Sequence, residues 1–389
     1  MEFPVKRKGS FFRCISGEKR YFHGHIELFP VNQHLAPVDD LPMRVLDFTH
    51  IVEAAWKNYD PSRVPSAITD ISVRVSTNYV YKIQFPGKQF VIAKLSYFGT
   101  YEHFKEDHSI VNALAHALQP PYDRTISHSL MKDGDVYTYR HQEAGLNVWV
   151  VFYRPVKLMR KLPKRLQVAD IVSLGRQFGL FHKACSQTLI ELPKTSKTMM
   201  WDMEDLRSHL STDDGKQEFT GRIPEIHRQI DLFLEESAAC GYDQMMKMPV
   251  FVDWNSGNFS LSKRGRIYTR WDYDWFRFAP RVLDCYFMSR VVSDIGDQTL
   301  FSYVPDTLME PRFMLFLENY HRNFPLTESE IRFIKPAFRF FILQYVIKYG
   351  NYFFHQIYAS RLQEEAFRVY LPRLDKVFNA DKLLRTCNL

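Results

Sequence analysis

The sequence predicts an α+β fold in two lobes, a small antiparallel sheet followed by a larger, mostly helical part. Three observations carry this. Between residues 69 and 153, short runs rich in β-branched and aromatic residues are bounded by turn residues, with one helical stretch among them. From Asp170 onward, apolar residues recur at three- and four-residue spacing. Arg154-Pro155 falls between the two regimes, and proline cannot continue a central strand. The expected layout is an extension over residues 1–45, a first lobe over 46–155 and a second over 156–389, and 389 residues suffice for two sizeable cores.

Residues 1–45 mix basic residues, aromatics and prolines without a sustained period. His23 and His25 share a strand face there, but two histidines without further ligands do not make a metal site. Phe48, Ile51, Val52, Ala55 and Trp56 are spaced as one face of a helix over 46–59. Strands are expected at Ile71–Val75, Asn78–Phe85 and Gln89–Leu95, the last two joined by a Pro86-Gly87 turn. A helix over Tyr101–Leu118 turns Phe104, Ile110, Val111, Leu114 and Leu118 inward. Two further strands, Val136–Arg140 and Val148–Tyr153, complete a five-stranded antiparallel sheet. Beyond the boundary, helices are expected over Asp170–Cys185, Met200–Leu210, Pro224–Ala239 and Phe313–Tyr320. Another opens on the capping box Thr327-Glu-Ser-Glu330, and helix continues over 340–358 and 364–378. The five basic residues between Lys157 and Arg165 read as a solvated linker face.

Pro249 to Met288 concentrates the chemistry. Two runs, Met248–Val252 and Arg266–Trp271, read as the strands of one hairpin-like unit, and each ends in an acid, Asp253 and Asp272. Asn258 lies in the loop between them. Two carboxylates and a carboxamide at one edge are the inventory of phosphoryl transfer. One carboxylate accepts the proton of an attacking hydroxyl, and the other joins an amide oxygen in holding the magnesium that bridges nucleotide phosphates. Lys94 sits inside the apolar run Val91-Ile-Ala-Lys94, where an unpaired ammonium is costly to bury.

The spacing Asp253-Trp-Asn-Ser-Gly-Asn258 resembles the catalytic loop of the aminoglycoside phosphotransferase and choline kinase-like superfamily, His-Gly-Asp followed five positions later by Asn. Trp271-Asp-Tyr-Asp274 is similar to that family's metal-binding Ile-Asp-Phe-Asp. Pro280 and Asp284 match a following Gly-Pro-x-x-x-Asp whose acid braces the catalytic loop, and Val91–Lys94 matches the kinase Val-Ala-Ile-Lys. Leu174–His182 is similar to the central helix of the family's second lobe, with His182 as a core histidine. The resemblance spans residues 46–375 and implies a bilobal protein-kinase-like fold. It also implies an ATP- and Mg2+-dependent phosphotransferase acting on a hydroxyl of a small molecule. It assigns Asp253 to catalysis, Asn258 and Asp272 to the metal, and Lys94, oriented by Glu106, to the phosphates. Ser76, Thr77 and Asn78 form the loop over those phosphates, without the usual glycines. Asp107 is the alternative partner for Lys94, and Asp274 is left outside the metal set. Phe251-Val252 departs from the family's His-Gly, so a pseudokinase that binds without reacting, and a kinase of protein substrates, stand as alternatives.

Composition sets bounds on these readings. The 46% hydrophobic and 24% charged content is globular and excludes wholesale disorder. A net charge of +7 suits nucleotides without arguing for nucleic acid. Five scattered cysteines with no CxxC pair indicate neither zinc nor a disulfide framework and fit a reducing cytoplasm. The basic N-terminus lacks a following apolar core, as a leader would require, and no apolar stretch is long enough for a membrane.

Overall fold

The computed structural model describes residues 47–72, 79–143, 145–157, 159–294 and 302–389. The extension over 1–45 lies outside them, as does the loop of Ser76, Thr77 and Asn78. Helix α1 (Thr49–Tyr59) opens the described chain. It is followed by β1 (Ala67–Asp70), β2 (Tyr79–Gln84), β3 (Phe90–Ser96) and α2 (Tyr101–Ala117). A short hairpin, β4 (Met131–Lys132) and β5 (Asp135–Val136), precedes β6 (Thr138–Glu143) and β7 (Leu146–Tyr153). The main sheet has the order β1-β2-β3-β7-β6, antiparallel throughout. The first described strand is Ala67–Asp70, paired with Gln84–Tyr81; Ile71 follows it, giving its N–H to the Val80 carbonyl, and residues 73–75 of the expected Ile71–Val75 strand lie outside the described residues.

The strand period explains where Lys94 points. Successive side chains of a strand face opposite ways. Along β7, Val148, Val150 and Phe152 join the smaller core with α1, whereas Trp149, Val151 and Tyr153 join the larger core with α2. On β3, Val91, Ala93 and Leu95 take the α1 side, so Lys94 takes the other, facing the second lobe.

The second lobe holds α3 (Val168–Gln187), α4 (Met199–Leu210), α5 (Asp213–Glu218) and α6 (Ile223–Ala239). Four three- or four-residue strands follow, β8 (Met248–Val250), β9 (Phe259–Leu261), β10 (Ile267–Arg270) and β11 (Arg277–Ala279), then α7 (Cys285–Val292). The chain closes with α8 (Pro311–His321), α9 (Glu328–Phe341), α10 (Gly350–Phe353), α11 (Gln356–Glu365), α12 (Leu371–Val377) and α13 (Ala380–Thr386). Between α9 and α10, and again after α11, the helix widens into π turns, Ile342–Lys348 and Ala366–Tyr370. The Thr327–Glu330 capping box forms as expected. All described residues fall within one compact unit.

One expectation needs correcting. Met248–Val250 and Ile267–Arg270 are not partners in a hairpin. β8 pairs with β11, and β10 pairs with β9. The reason is their length: three or four residues supply too few alternations to announce a strand, so β9 and β11 leave no period in the sequence.

Candidate active site

The acidic loop after β8 is built around a buried carboxylate. Asp284, with no exposed surface, accepts from the backbone N–H groups of Phe251 (3.1 Å) and Val252 (2.7 Å) and from Trp254 Nε1 (2.7 Å). His182 Nε2 lies 3.1 Å away, and its Nδ1 meets the Tyr320 hydroxyl at 2.8 Å. A carboxylate offers about four acceptor sites, and these donors take them up. So Asp284 braces the loop, and His182 is a satisfied core histidine.

With its approach fixed, the loop presents Asp253 half-buried. One Asp253 oxygen accepts from Asn255 Nδ2 (2.8 Å) and the other from Asn258 Nδ2 (2.9 Å). Asn258 opens the β9–β10 hairpin, and Asp272 follows its far end. The two ends meet where Trp271 N–H donates to the Asn258 carbonyl at 3.0 Å. Val252 and Asp272 both have left-handed backbone, with φ of 61° and 70°. For non-glycine residues that conformation is strained, and it persists only where the surroundings impose it.

Lys94 crosses between the lobes to this edge. Its Nζ lies 2.7 Å from Asp272 Oδ1 and 2.6 Å from Asp274 Oδ1. Burial alone would push the ammonium down, but the two carboxylates outweigh it and hold the group above the usual lysine value. Asp272 shows the converse: burial works to raise it, and the ammonium holds it below the usual aspartate value. Asp274, buried and beside a like charge, is pushed up to about 6 despite Lys94.

Glu106 is not brought to Lys94. Its Oε1 accepts from the Thr195 hydroxyl (2.8 Å) and Ser196 N–H (2.7 Å), and the neighbouring Asp107 pairs with Lys197. The segment Thr195–Lys197 captures Glu106 and Asp107, and the charge of Lys94 is met by Asp272 and Asp274 instead. Asp274 thus belongs with the site more closely than its spacing suggests. Beside it lies a narrow cavity of about 40 Å³, walled by Asp107, Lys197, Trp201, Arg277, Gln344 and Tyr349. Arg277 pairs with Asp202 there, and Gln344 Oε1 has no hydrogen-bond partner among the described residues.

Sequence reasoning also missed Arg270. Its guanidinium, wholly buried, donates to backbone carbonyls on both acidic loops. The available signal was an arginine inside the apolar run Ile267–Trp271, the argument that singles out Lys94.

Whether magnesium suits this donor set can be judged from the residues. Asp272 and Asp274 already hold a cation, the Lys94 ammonium, between hard carboxylate oxygens. Among the described residues no group of three or more His, Cys, Asp or Glu gathers as a metal site. Magnesium needs none: it takes one or two carboxylates, with phosphates and waters completing its shell. The residues fit.

Several solved structures of small-molecule phosphotransferases share this architecture. An amicoumacin kinase in complex with AMP-PNP and Ca2+ matches 86% of this chain and 99% of its own, at 14% identity and a TM-score of 0.55. A microcompartment-associated aminopropanol kinase matches 88% and 99%, at 15% identity and a TM-score of 0.55. The GDP complex of aminoglycoside 2'-phosphotransferase-IIIa matches 86% and 100%, at 12% identity and a TM-score of 0.51. The fold is that of the aminoglycoside phosphotransferases and related small-molecule kinases. In this kinase-like fold the sheet lobe and the helical lobe meet where Lys94 reaches Asp272. No family model matches the sequence, and no curated protein matches it either. No helix among the described residues is long and apolar enough to cross a membrane.

Proposed function

We propose that this protein transfers the γ-phosphoryl group of ATP to a hydroxyl of a small molecule, with Mg2+ as the metal. The single observation that supports this best is the convergence of Lys94 on Asp272 at 2.7 Å, across the two lobes. Beside Asp272, at the start of the same β9–β10 hairpin, Asn258 is joined to Asp253 at 2.9 Å. In this reading Asp253 orients the acceptor hydroxyl and takes its proton. Asn258 and Asp272 hold the metal, which when bound neutralises charge on the phosphates. Lys94 exchanges its carboxylate partners for phosphate oxygens, and Ser76, Thr77 and Asn78 cover them. Residues 46–155 then carry the nucleotide and 156–389 the acceptor. The cavity beside Asp274 is lined by charged and polar groups of both kinds, Lys197 and Arg277 as donors and Asp274 and Gln344 Oε1 as acceptors, which supports a polar acceptor. Glu106, tied to Ser196, has no part in this mechanism.

A binding-only role is the second reading, favoured by Phe251 at the family's histidine position. One experiment separates them. Purified protein is screened against pooled hydroxyl metabolites with MgATP, reading ADP release, alongside nucleotide-induced thermal shift. The kinase reading expects turnover with at least one pool, and Asp253→Ala to lose roughly 10²–10⁴ in rate while keeping the shift. A shift without turnover supports the binding role, and neither effect overturns both.

A further inference from the structure

Arg270 ends β10, two residues before Asp272, and its side chain has no exposed surface. Its Nη2 donates to the carbonyls of Phe251 and Asp253, each at 3.2 Å. Its Nη1 donates to the Trp271 carbonyl at 3.1 Å and to the Asp272 carbonyl. The guanidinium lies over three rings, 4.3 Å from the centroid of Phe251, 5.0 Å from Trp254 and 5.6 Å from Tyr273. Its Nε has no hydrogen-bond partner among the described residues.

The four carbonyls are not scattered. Phe251 and Asp253 flank Val252, and the Trp271 and Asp272 carbonyls belong to the peptides before and after Asp272; Val252 and Asp272 are the two left-handed non-glycine residues of the site. Such backbone is kept only where neighbours over-determine it. A planar fork with five donors can grip two loops at once in a fixed geometry, which a lysine cannot do. Burying a guanidinium is costly, and all of its described hydrogen bonds go to the carbonyls of these two loops rather than to a carboxylate. The Phe251 ring, at the position where the resemblance expects histidine, forms one of its platforms. We infer that Arg270 is a positioning residue: it fixes the Asp253 loop against the Asp272 loop and so sets the spacing between the carboxylate that acts on the acceptor and the one that holds the metal. The inference rests on the phosphotransferase reading for its consequence, and on the hydrogen bonds for its geometry.

Two readouts test these halves separately, in the full chain, for Arg270→Lys and Arg270→Met. The first is affinity for a fluorescent ATP analogue, with MgCl2 and with EDTA. Expected is near-parental affinity in EDTA, with the magnesium enhancement reduced at least tenfold in Arg270→Met and by less in Arg270→Lys. A purely structural role predicts equal losses with and without magnesium, and an unchanged enhancement also overturns the inference. The second is amide hydrogen exchange without nucleotide. The 253–258 and 271–274 segments should both exchange at least tenfold faster in the variants while α8 and α9 keep parental rates. Loops that stay protected, or that loosen only with the whole lobe, sink it. If Arg270→Met does not fold, Arg270→Lys decides on the same two criteria. A parent without magnesium enhancement removes the phosphotransferase reading, whereas the exchange result still decides whether Arg270 couples the loops.

Discussion

At the scale of single residues, Asp284 shows how much of a site is spent on holding it. Three of its donors, Phe251 N–H, Val252 N–H and Trp254 Nε1, have no water to turn to once the carboxylate is gone. A buried donor left without a partner costs about 1–3 kcal/mol, and losses within one network do not add fully. Asp284→Ala should therefore lower unfolding stability by about 3–5 kcal/mol, read by urea denaturation. It should also weaken catalysis, because the Asp253 loop is released. Asp284→Asn keeps an acceptor but points an N–H at donors, so an intermediate loss is expected. The contacts of Asp284 with the loop were legible from spacing, and the same spacing singled out Asp253, Asn258, Asp272 and Lys94, the residues on which the proposed function rests. Glu106 was misjudged because two adjacent acids on a helix do not reveal which surface captures them. Arg270 escaped because its partners are backbone carbonyls, which every sequence supplies.

Elements matter here through the closeness of their approach. Helices α3 and α8 cross where Gly175 and Gly179, one turn apart, face the carbonyls of Phe316 and Tyr320. A Cβ on Gly175 would press into the Phe316 carbonyl, and one on Gly179 would come within 2.8 Å of the Tyr320 carbonyl. In an open helix Gly→Ala gains roughly 1 kcal/mol through helix propensity. Here overpacking costs about 1–3 kcal/mol or more, and backbone cannot swing aside as a side chain does. Gly175→Ala should therefore destabilise by about 2 kcal/mol. Because α8 also carries Tyr320, the partner of His182, the strain should reach Asp284 and slow turnover; chemical denaturation and a rate assay check the two effects. Long elements such as α3 were readable, since Ile171, Leu174, Phe178 and Phe181 repeat over enough turns to declare a face. The three-residue strands around the site were not, and so the hairpin was drawn between the wrong pair. The π turns after α9 keep an apolar sequence typical of α-helix, so the pattern does not announce their widening.

For the molecule as a whole, the two lobes are tied by a charge that the proposed reaction must borrow. Lys94 belongs to the sheet, and Asp272 and Asp274 belong to the helical part. The ammonium is held above the usual lysine value, so the tie persists through neutral pH. In the free protein Asp274, raised to about 6, favours folding below the ordinary carboxylate pKa, and that contribution fades as pH rises towards 6. Asp272, lowered by Lys94, works the other way: its contribution is present above the ordinary carboxylate pKa and is lost in acid. Lys94→Met leaves two neighbouring carboxylates with no ammonium between them, and both should then rise, because like charges share a site badly. The variant takes up protons at higher pH than the parent. Its deficit is accordingly largest where both carboxylates are ionised and shrinks on acidification. Asp272 is 36% exposed, and screening trims the loss below that of a fully buried pair, to about 2 kcal/mol at pH 8. At pH 5 the difference from parent should fall to about half that or less, as measured by urea unfolding at the two pH values. Magnesium chloride supplies the missing positive charge, so it should raise the melting temperature of Lys94→Met at pH 8 more than that of the parent, whose ammonium competes for the same oxygens. An equal response in both proteins would mean that Asp272 does not receive the metal.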